Sequence, residues 1–312
     1  MTRALNRRNF LKLGAGISAA AALGQATLLG EETNTALTFA AKKPRLKRAI
    51  MFATVPGKMS VADKFKMIRD AGFDGVEAMS GMDRDEVLHA RDAAGLEIPS
   101  VCDSVHWMKT LSDPNPTARA TGLEGLETAL QDSKTYGGSS VLLVPAVVNK
   151  QVSYADAYTR SQAEIRKAIP LAEKLGVKIA IENVWNQFLL SPLEAARYVD
   201  ELGASAVGWH FDIGNVINTG WPEQWIRILG SRIQKLHFKE FSRKKRDEEG
   251  LWKGFQVDYL EGDNDWPAIM RALDEINYRG WAIAEPAFHP PGLDDAAFVR
   301  HVREKMDQIL AL

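Results

Sequence analysis

From Arg48 onward, short apolar runs alternate with longer amphipathic segments, and the alternation repeats eight times. The runs are 49–54 (AIMFAT), 75–79 (GVEAM), 98–105 (IPSVCDSV), 140–145 (SVLLVP), 177–182 (VKIAIE), 206–212 (AVGWHFD), 233–238 (IQKLHF) and 281–285 (WAIAE). Each is rich in Val, Ile, Leu or Ala and bounded by Gly, Pro or polar residues, which predicts strands. Between them, helical spacing of apolar residues runs near Val61–Ala71, Arg84–Ala94, Thr117–Thr135, Ala155–Leu175, Pro192–Leu202, Pro222–Leu229, Trp266–Ile276 and Asp295–Leu310. Gly72, Gly95, Gly137, Gly176, Gly203 and Gly230 follow the ends of six of these segments, where glycine suits a left-handed helix exit. Strict strand–helix alternation implies parallel strands joined by crossovers. Eight such units in roughly 250 residues predict an α/β fold of the (β/α)8 TIM-barrel type, one domain over residues 48–312. An open doubly wound sheet would carry a Gly-rich phosphate turn after its first strand, and none stands there.

In such a barrel, catalytic groups sit at the C-terminal ends of the strands. Reading those ends in order gives Glu182, Asp212, His237 and Glu285, on the fifth to eighth strands. Alone, each acid reads as a helix cap or a lysine partner, and the histidine as a satisfied core residue. Together, three carboxylates meeting at one barrel mouth would repel and raise one another's pKa unless a cation neutralised them. Three oxygen donors and an imidazole suit one divalent ion, Mn2+ first, with Mg2+, Co2+ or Zn2+ as alternatives. His106 follows the third strand, where it reads equally as a substrate contact or as packing. His210 shares parity with Asp212 and is expected one layer lower in the barrel, in a structural role. Lys239 shares parity with His237 and reads either as an electrophile at the mouth or as a salt-bridge partner. Trp185, Trp221 and Trp252 are candidates for stacking on a sugar face, or for plain packing.

Composition narrows the partners. A net charge of −1 offers no field for a polyanion, so no nucleic-acid partner is expected. Cys102 is the only cysteine, which rules out an intramolecular disulfide and a cysteine metal cluster. The start of the chain differs from the rest: Arg7-Arg8-Asn9-Phe10-Leu11-Lys12 precedes a weakly apolar Ala/Gly-rich run ending at Leu29. It resembles the twin-arginine export signals, which implies a signal segment over 1–30, a linker over 31–47 and a periplasmic or otherwise exported barrel. Lys42, Lys43, Arg45 and Lys47 read as a solvated basic stretch. No segment beyond the signal approaches the roughly 20 apolar residues of a membrane span. The composition is also compatible with a homo-oligomer.

At its four strand-end residues the chain resembles the xylose-isomerase-like barrels, which include ketose 3-epimerases, hydroxypyruvate isomerase and endonuclease-IV-type nucleases. GFDGVE (72–77) and YLEGDNDWP within 254–267 strengthen the resemblance, which covers roughly 48–310. It implies that Glu182 and Glu285 bind the metal and also move the proton, from opposite faces of a sugar. It gives Arg243 a substrate hydroxyl, and it is broken at Asn215, where epimerases carry a histidine. The implied activity is a sugar isomerase or epimerase working through an enediolate on a small sugar or glycoside. Export favours a free sugar or oxidised glycoside over a sugar phosphate. The same machinery would serve a lyase that eliminates the aglycone of a 3-keto-glycoside. A non-catalytic sugar-binding barrel is the third reading. The nuclease reading lacks the histidines for three metals, with Asn215 and Trp252 at two of the expected places.

Overall fold

The eight expected strands form in the order predicted, and each hydrogen-bonds in parallel to its sequence neighbours. They are β1 (Lys47–Met51), β2 (Gly75–Met79), β3 (Ser100–Cys102), β4 (Ser140–Leu143), β5 (Lys178–Glu182), β6 (Val207–Asp212), β7 (Ile233–Phe238) and β8 (Trp281–Ala284). β8 pairs with β1, so the sheet closes into a TIM barrel. This computed structural model describes residues 46–312, and the calls on 1–30 and 31–45 lie outside the described residues. Lys47, expected in the linker, instead opens β1, and its ammonium lies 2.5 Å from Glu97.

The crossovers carry α1 (Val61–Asp70), α2 (Arg84–Ala94), α3 (Pro116–Tyr136), α4 (Tyr154–Leu175), α5 (Pro192–Leu202), α6 (Gly214–Ile217), α7 (Pro222–Leu229), α8 (Arg243–Glu249), α9 (Trp266–Glu275) and α10 (Asp295–Leu310). Ser60, Asp83, Asn115, Ser153, Ser191, Asp265 and Asp294 each accept a backbone N–H of the helix that follows, a contact worth about 1 kcal/mol. Along β5, Ile179 and Ile181 join the core beneath the helices, while Ala180 and Glu182 share the other face by alternation. No described helix is long and apolar enough to cross a membrane.

One irregularity positions the site. Trp209 pairs with Ile233, but His210 pairs with Lys235, so the ladder between β6 and β7 skips Gln234. Strand side chains alternate faces, and a one-residue slip moves a residue from one face to the other. The slip sets His237 opposite Asp212, where an unbroken ladder would have set Leu236. Gly208 makes room for it, because a Cβ there would sit 2.5 Å from Gln234 Cγ.

Candidate metal centre and substrate cavity

Glu182 and Asp212 end β5 and β6, His237 is the penultimate residue of β7, and Glu285 follows β8. The Glu285 N–H donates to Phe238 O at 2.9 Å, which extends the ladder by one residue. Asn183 locks two strands: its Nδ2 donates to Asp212 O (2.7 Å), and its Oδ1 accepts from Asp212 N (3.0 Å) and Trp209 Nε1 (3.1 Å). The result is convergence. One ligand atom from each of Glu182, Asp212, His237 and Glu285 lies within 4.8 Å of the others. His237 Nδ1 stands 3.1 Å from Glu182 Oε1 and 3.0 Å from Glu285 Oε2.

The donor set fits a cation. Asp212 Oδ1 accepts from Asn215 N at 2.8 Å, but Asp212 Oδ2 accepts no hydrogen bond among the described residues, and Glu285 Oε2 faces only the His237 ring. Buried carboxylate oxygens without a donor are costly, and an ion between them removes that cost. Lys239 Nζ already lies 2.9 Å from Glu285 Oε1 and 3.5 Å from Asp212 Oδ2, so the cluster is part-neutralised by the chain itself. The titration directions follow from these neighbours. Burial raises Glu182, and raises Asp212 well above the carboxylate range. Burial pushes Glu285 upward too, but Lys239 and His237 outweigh it and hold Glu285 below its ordinary value. His237 is driven down by burial and further up by Glu77 and Glu285, so it ends well above 6.5.

Glu77, on β2, reaches His237 from across the barrel. Its Oε2 lies 2.7 Å from His237 Nε2, and its Oε1 accepts from Ser100 Oγ at 2.5 Å. His210 sits in the layer expected of it, edge-on to the His237 ring at 4.2 Å between centroids. Burial holds His210 well below 6.5, and neither of its ring nitrogens is hydrogen-bonded among the described residues.

Above the cluster lies a cavity of about 480 Å3, floored by Glu182, His237, Lys239 and Glu285 and walled by His106, Trp107, Trp185 and Trp252 among others. That volume is in the range of small-molecule sites. The sequence pattern of the xylose isomerase-like TIM barrel matches residues 65–304. The chain belongs to that family.

Among xylose isomerase-like barrels, an L-ribulose-5-phosphate 3-epimerase of Escherichia coli is 25% identical over 259 residues, 78% of this chain and 87% of that protein. A 2-epi-5-epi-valiolone 7-phosphate 2-epimerase of Actinoplanes is 28% identical over 135 residues, and the match spans less than half of either protein (43% and 46%). Two solved structures share the fold: a 3-keto-D-glucoside 4-epimerase from E. coli and a D-allulose 3-epimerase from Methylomonas. The first has a TM-score of 0.70 at 18% identity, over 86% of this chain and 100% of that one. The second has 0.69 at 19%, over 85% and 98%.

In the cavity of this chain, His106, Trp185 and Asn215 line the wall and Lys239 the floor. His106 Nδ1 accepts from Val144 N at 3.2 Å, and burial lowers its pKa to about 4, so the ring is neutral. Asn215 Nδ2 donates to Asn183 O (3.0 Å), and Trp185 Nε1 donates to Asn215 O (2.9 Å). Arg243 is placed differently from the expectation. Its Nε and Nη2 donate to Ile217 O and Gly220 O, each at 2.9 Å, its guanidinium stacks over Trp221, and it is not among the cavity residues. It ties down the chain after α6 rather than facing the mouth. Glu77 and Asn183 were not singled out from sequence. The signal for Glu77 was an acid in the middle of the apolar run GVEAM; Asn183 carried none beyond following Glu182.

Proposed function

We propose that this barrel is a divalent-metal-dependent sugar isomerase or epimerase that moves a proton on carbon beside a carbonyl. The observation that carries the reading is the pair Glu182 and Glu285, presented from β5 and β8 around one imidazole nitrogen at the floor of the cavity. A divalent ion held by Glu182, Asp212, His237 and Glu285 would supply Lewis acidity to the substrate's carbonyl and neighbouring hydroxyl oxygens. Glu285, held ionised by Lys239 and His237, is the base: it takes the C–H proton while the electron pair moves to the carbonyl oxygen, giving an enediolate. Glu182 serves the opposite face and returns a proton to the same carbon from there.

Sugar epimerases among the relatives support the reaction class. An unphosphorylated substrate is favoured because Lys239 is the only Lys or Arg among the described residues lining the cavity, and it already faces Glu285 and Asp212. Arg and Lys are the common side-chain donors to phosphate. The test is exchange of solvent deuterium into a panel of ketohexoses and 3-keto-glucosides in Mn2+. Wild-type protein is expected to label at least one, and labelling of none would overturn the reading. Glu285→Gln keeps an oxygen donor but takes no proton, so turnover should fall at least roughly a hundredfold at saturating Mn2+. Label should enter one epimer better than the other, since Glu182 still serves its own face. Full activity restored by added metal alone would make Glu285 a ligand and nothing more.

A further inference from the structure

A second cavity, of about 220 Å3, opens beside the first and shares Val184, Trp185, Asn215 and Trp252 with it. Trp185 is the partition. Its indole N–H is fixed to Asn215 O, and its ring packs on Trp252 and Phe255 at 4.9 and 4.7 Å between centroids. The far wall is Phe188, Leu189, Leu190, Trp225 and Leu251, and none of the described lining residues carries a charge. Leu190 and Trp252 are left 64% and 66% exposed, which makes the rim apolar.

This wall is held in a conformation that side chains rarely adopt. Gln187 and Leu189 both have left-handed backbone, with φ of 60° and 53°. Three acceptors fix the turn: Asn186 Oδ1 takes Phe188 N–H (3.2 Å), Tyr154 Oη takes Leu189 N–H (2.9 Å) and Glu194 Oε2 takes Leu190 N–H (3.1 Å). Tyr154 Oη in turn donates to Glu194 Oε2 at 2.5 Å. Backbone strain of this kind persists only where the surroundings over-determine it, and it concentrates at ligand sites.

We propose that the second cavity is an aglycone subsite of the same active site, and that it takes an uncharged aromatic ring linked to the sugar held over Glu182 and Glu285. The proposal rests on the sugar reading of the main cavity. Size agrees, since an apolar cavity of about 150 Å3 holds benzene. Chemistry selects an aryl group over a second sugar, because the far wall is apolar and Asn183 and Asn215 are hydrogen-bonded within the chain, while Gln187 and Thr219 lie exposed. The Asn183 amide is spent on β6, and Asn218 Oδ1 accepts from Arg246 at 2.9 Å. A sugar ring against Phe188, Leu189, Trp225 and Leu251 would turn hydroxyls onto apolar surface, whereas an aryl face stacks on Trp185 and Trp225.

The test is calorimetric titration of the Mn2+-loaded protein with matched probes: methyl and phenyl 3-keto-β-D-glucosides and the 3-keto form of cellobiose. The phenyl glycoside should bind at least about tenfold more tightly than the methyl one. Thr219→Trp, which fills the cavity from an exposed wall position, should bring that ratio to about one. Equal binding of the phenyl and methyl probes, no binding of any probe, tightest binding of the disaccharide, or a phenyl preference untouched by Thr219→Trp would each overturn the subsite. Deuterium exchange reads the other claim separately. Exchange without phenyl preference removes only the subsite, and phenyl preference without exchange on any panel member removes only the proton-transfer reading.

Discussion

Which nitrogen His237 offers to the carboxylate cluster is decided by Glu77. An imidazole has two nitrogens, and the partner of one fixes the role of the other. Glu77 Oε2 lies 2.7 Å from Nε2 and is itself steadied by Ser100, which would keep the hydrogen on Nε2 and leave Nδ1 as the candidate ligand atom. Carboxylates placed behind metal-binding histidines orient the ring and raise its basicity, and their loss costs about 10–100-fold in affinity. Glu77→Gln should therefore weaken Mn2+ binding by roughly that factor in calorimetric titration, with the circular dichroism spectrum unchanged. The pH dependence has a definite sign. Glu77 and Glu285 raise His237 well above 6.5, so Mn2+ uptake near neutral pH should release a proton and affinity should rise with pH. Unaltered affinity in Glu77→Gln would show that His237 is oriented by packing alone. Glu77 was hard to find from sequence because its partner is 160 residues away on the other side of the barrel.

Elements were read more easily than their joints. Every strand and eight of the ten helices follow from periodicity, because parallel barrel strands are buried runs and their crossover helices are amphipathic. The residues at the strand ends were found for the same reason. What escaped was set by tertiary contact. The third run was expected over 98–105, but only Ser100–Cys102 is strand. Asp103 Oδ1 accepts from Val105 N (3.0 Å) and Ser80 Oγ accepts from Ser104 N (2.9 Å), which draws the chain out of the sheet. Residues 239–264, where the sequence shows neither a strand run nor a helical spacing, contain α8 and a 3-10 segment, Leu251–Phe255. Glu240 organises the rest: its carboxylate accepts from Leu260 N (2.9 Å), Asn264 N (3.3 Å) and Trp266 Nε1 (2.8 Å). Gly262 is required there, since a Cβ would come within 2.5 Å of Glu240 Oε1. The slip between β6 and β7 was equally hidden, as no local pattern in IQKLHF announces it.

For the whole molecule, we propose that the barrel acts outside the cytoplasm, reached by a twin-arginine signal at Arg7 and Arg8. Replacing both with lysine should leave the protein in the cytoplasmic fraction, and its recovery beyond the inner membrane would refute the route. The contact between Glu77 and His237 has a consequence for the molecule as a mechanical object. It joins β2 to β7, and β7 would share an ion with β5, β6 and the residue after β8. An ion at that point would pin the last four strands together, with β2 tied in behind them through Glu77, and the unfolded polypeptide has no such point to offer. Binding to the native state alone stabilises by mass action, about 2.7 kcal/mol at a hundred times the dissociation constant. The melting temperature in a calorimetric scan should therefore climb with Mn2+ concentration and fall back on chelation. A melting temperature indifferent to Mn2+ would mean that nothing is riveted there. The barrel's closure and its chemistry would then be separate properties, whereas Glu77 and His237 make them one.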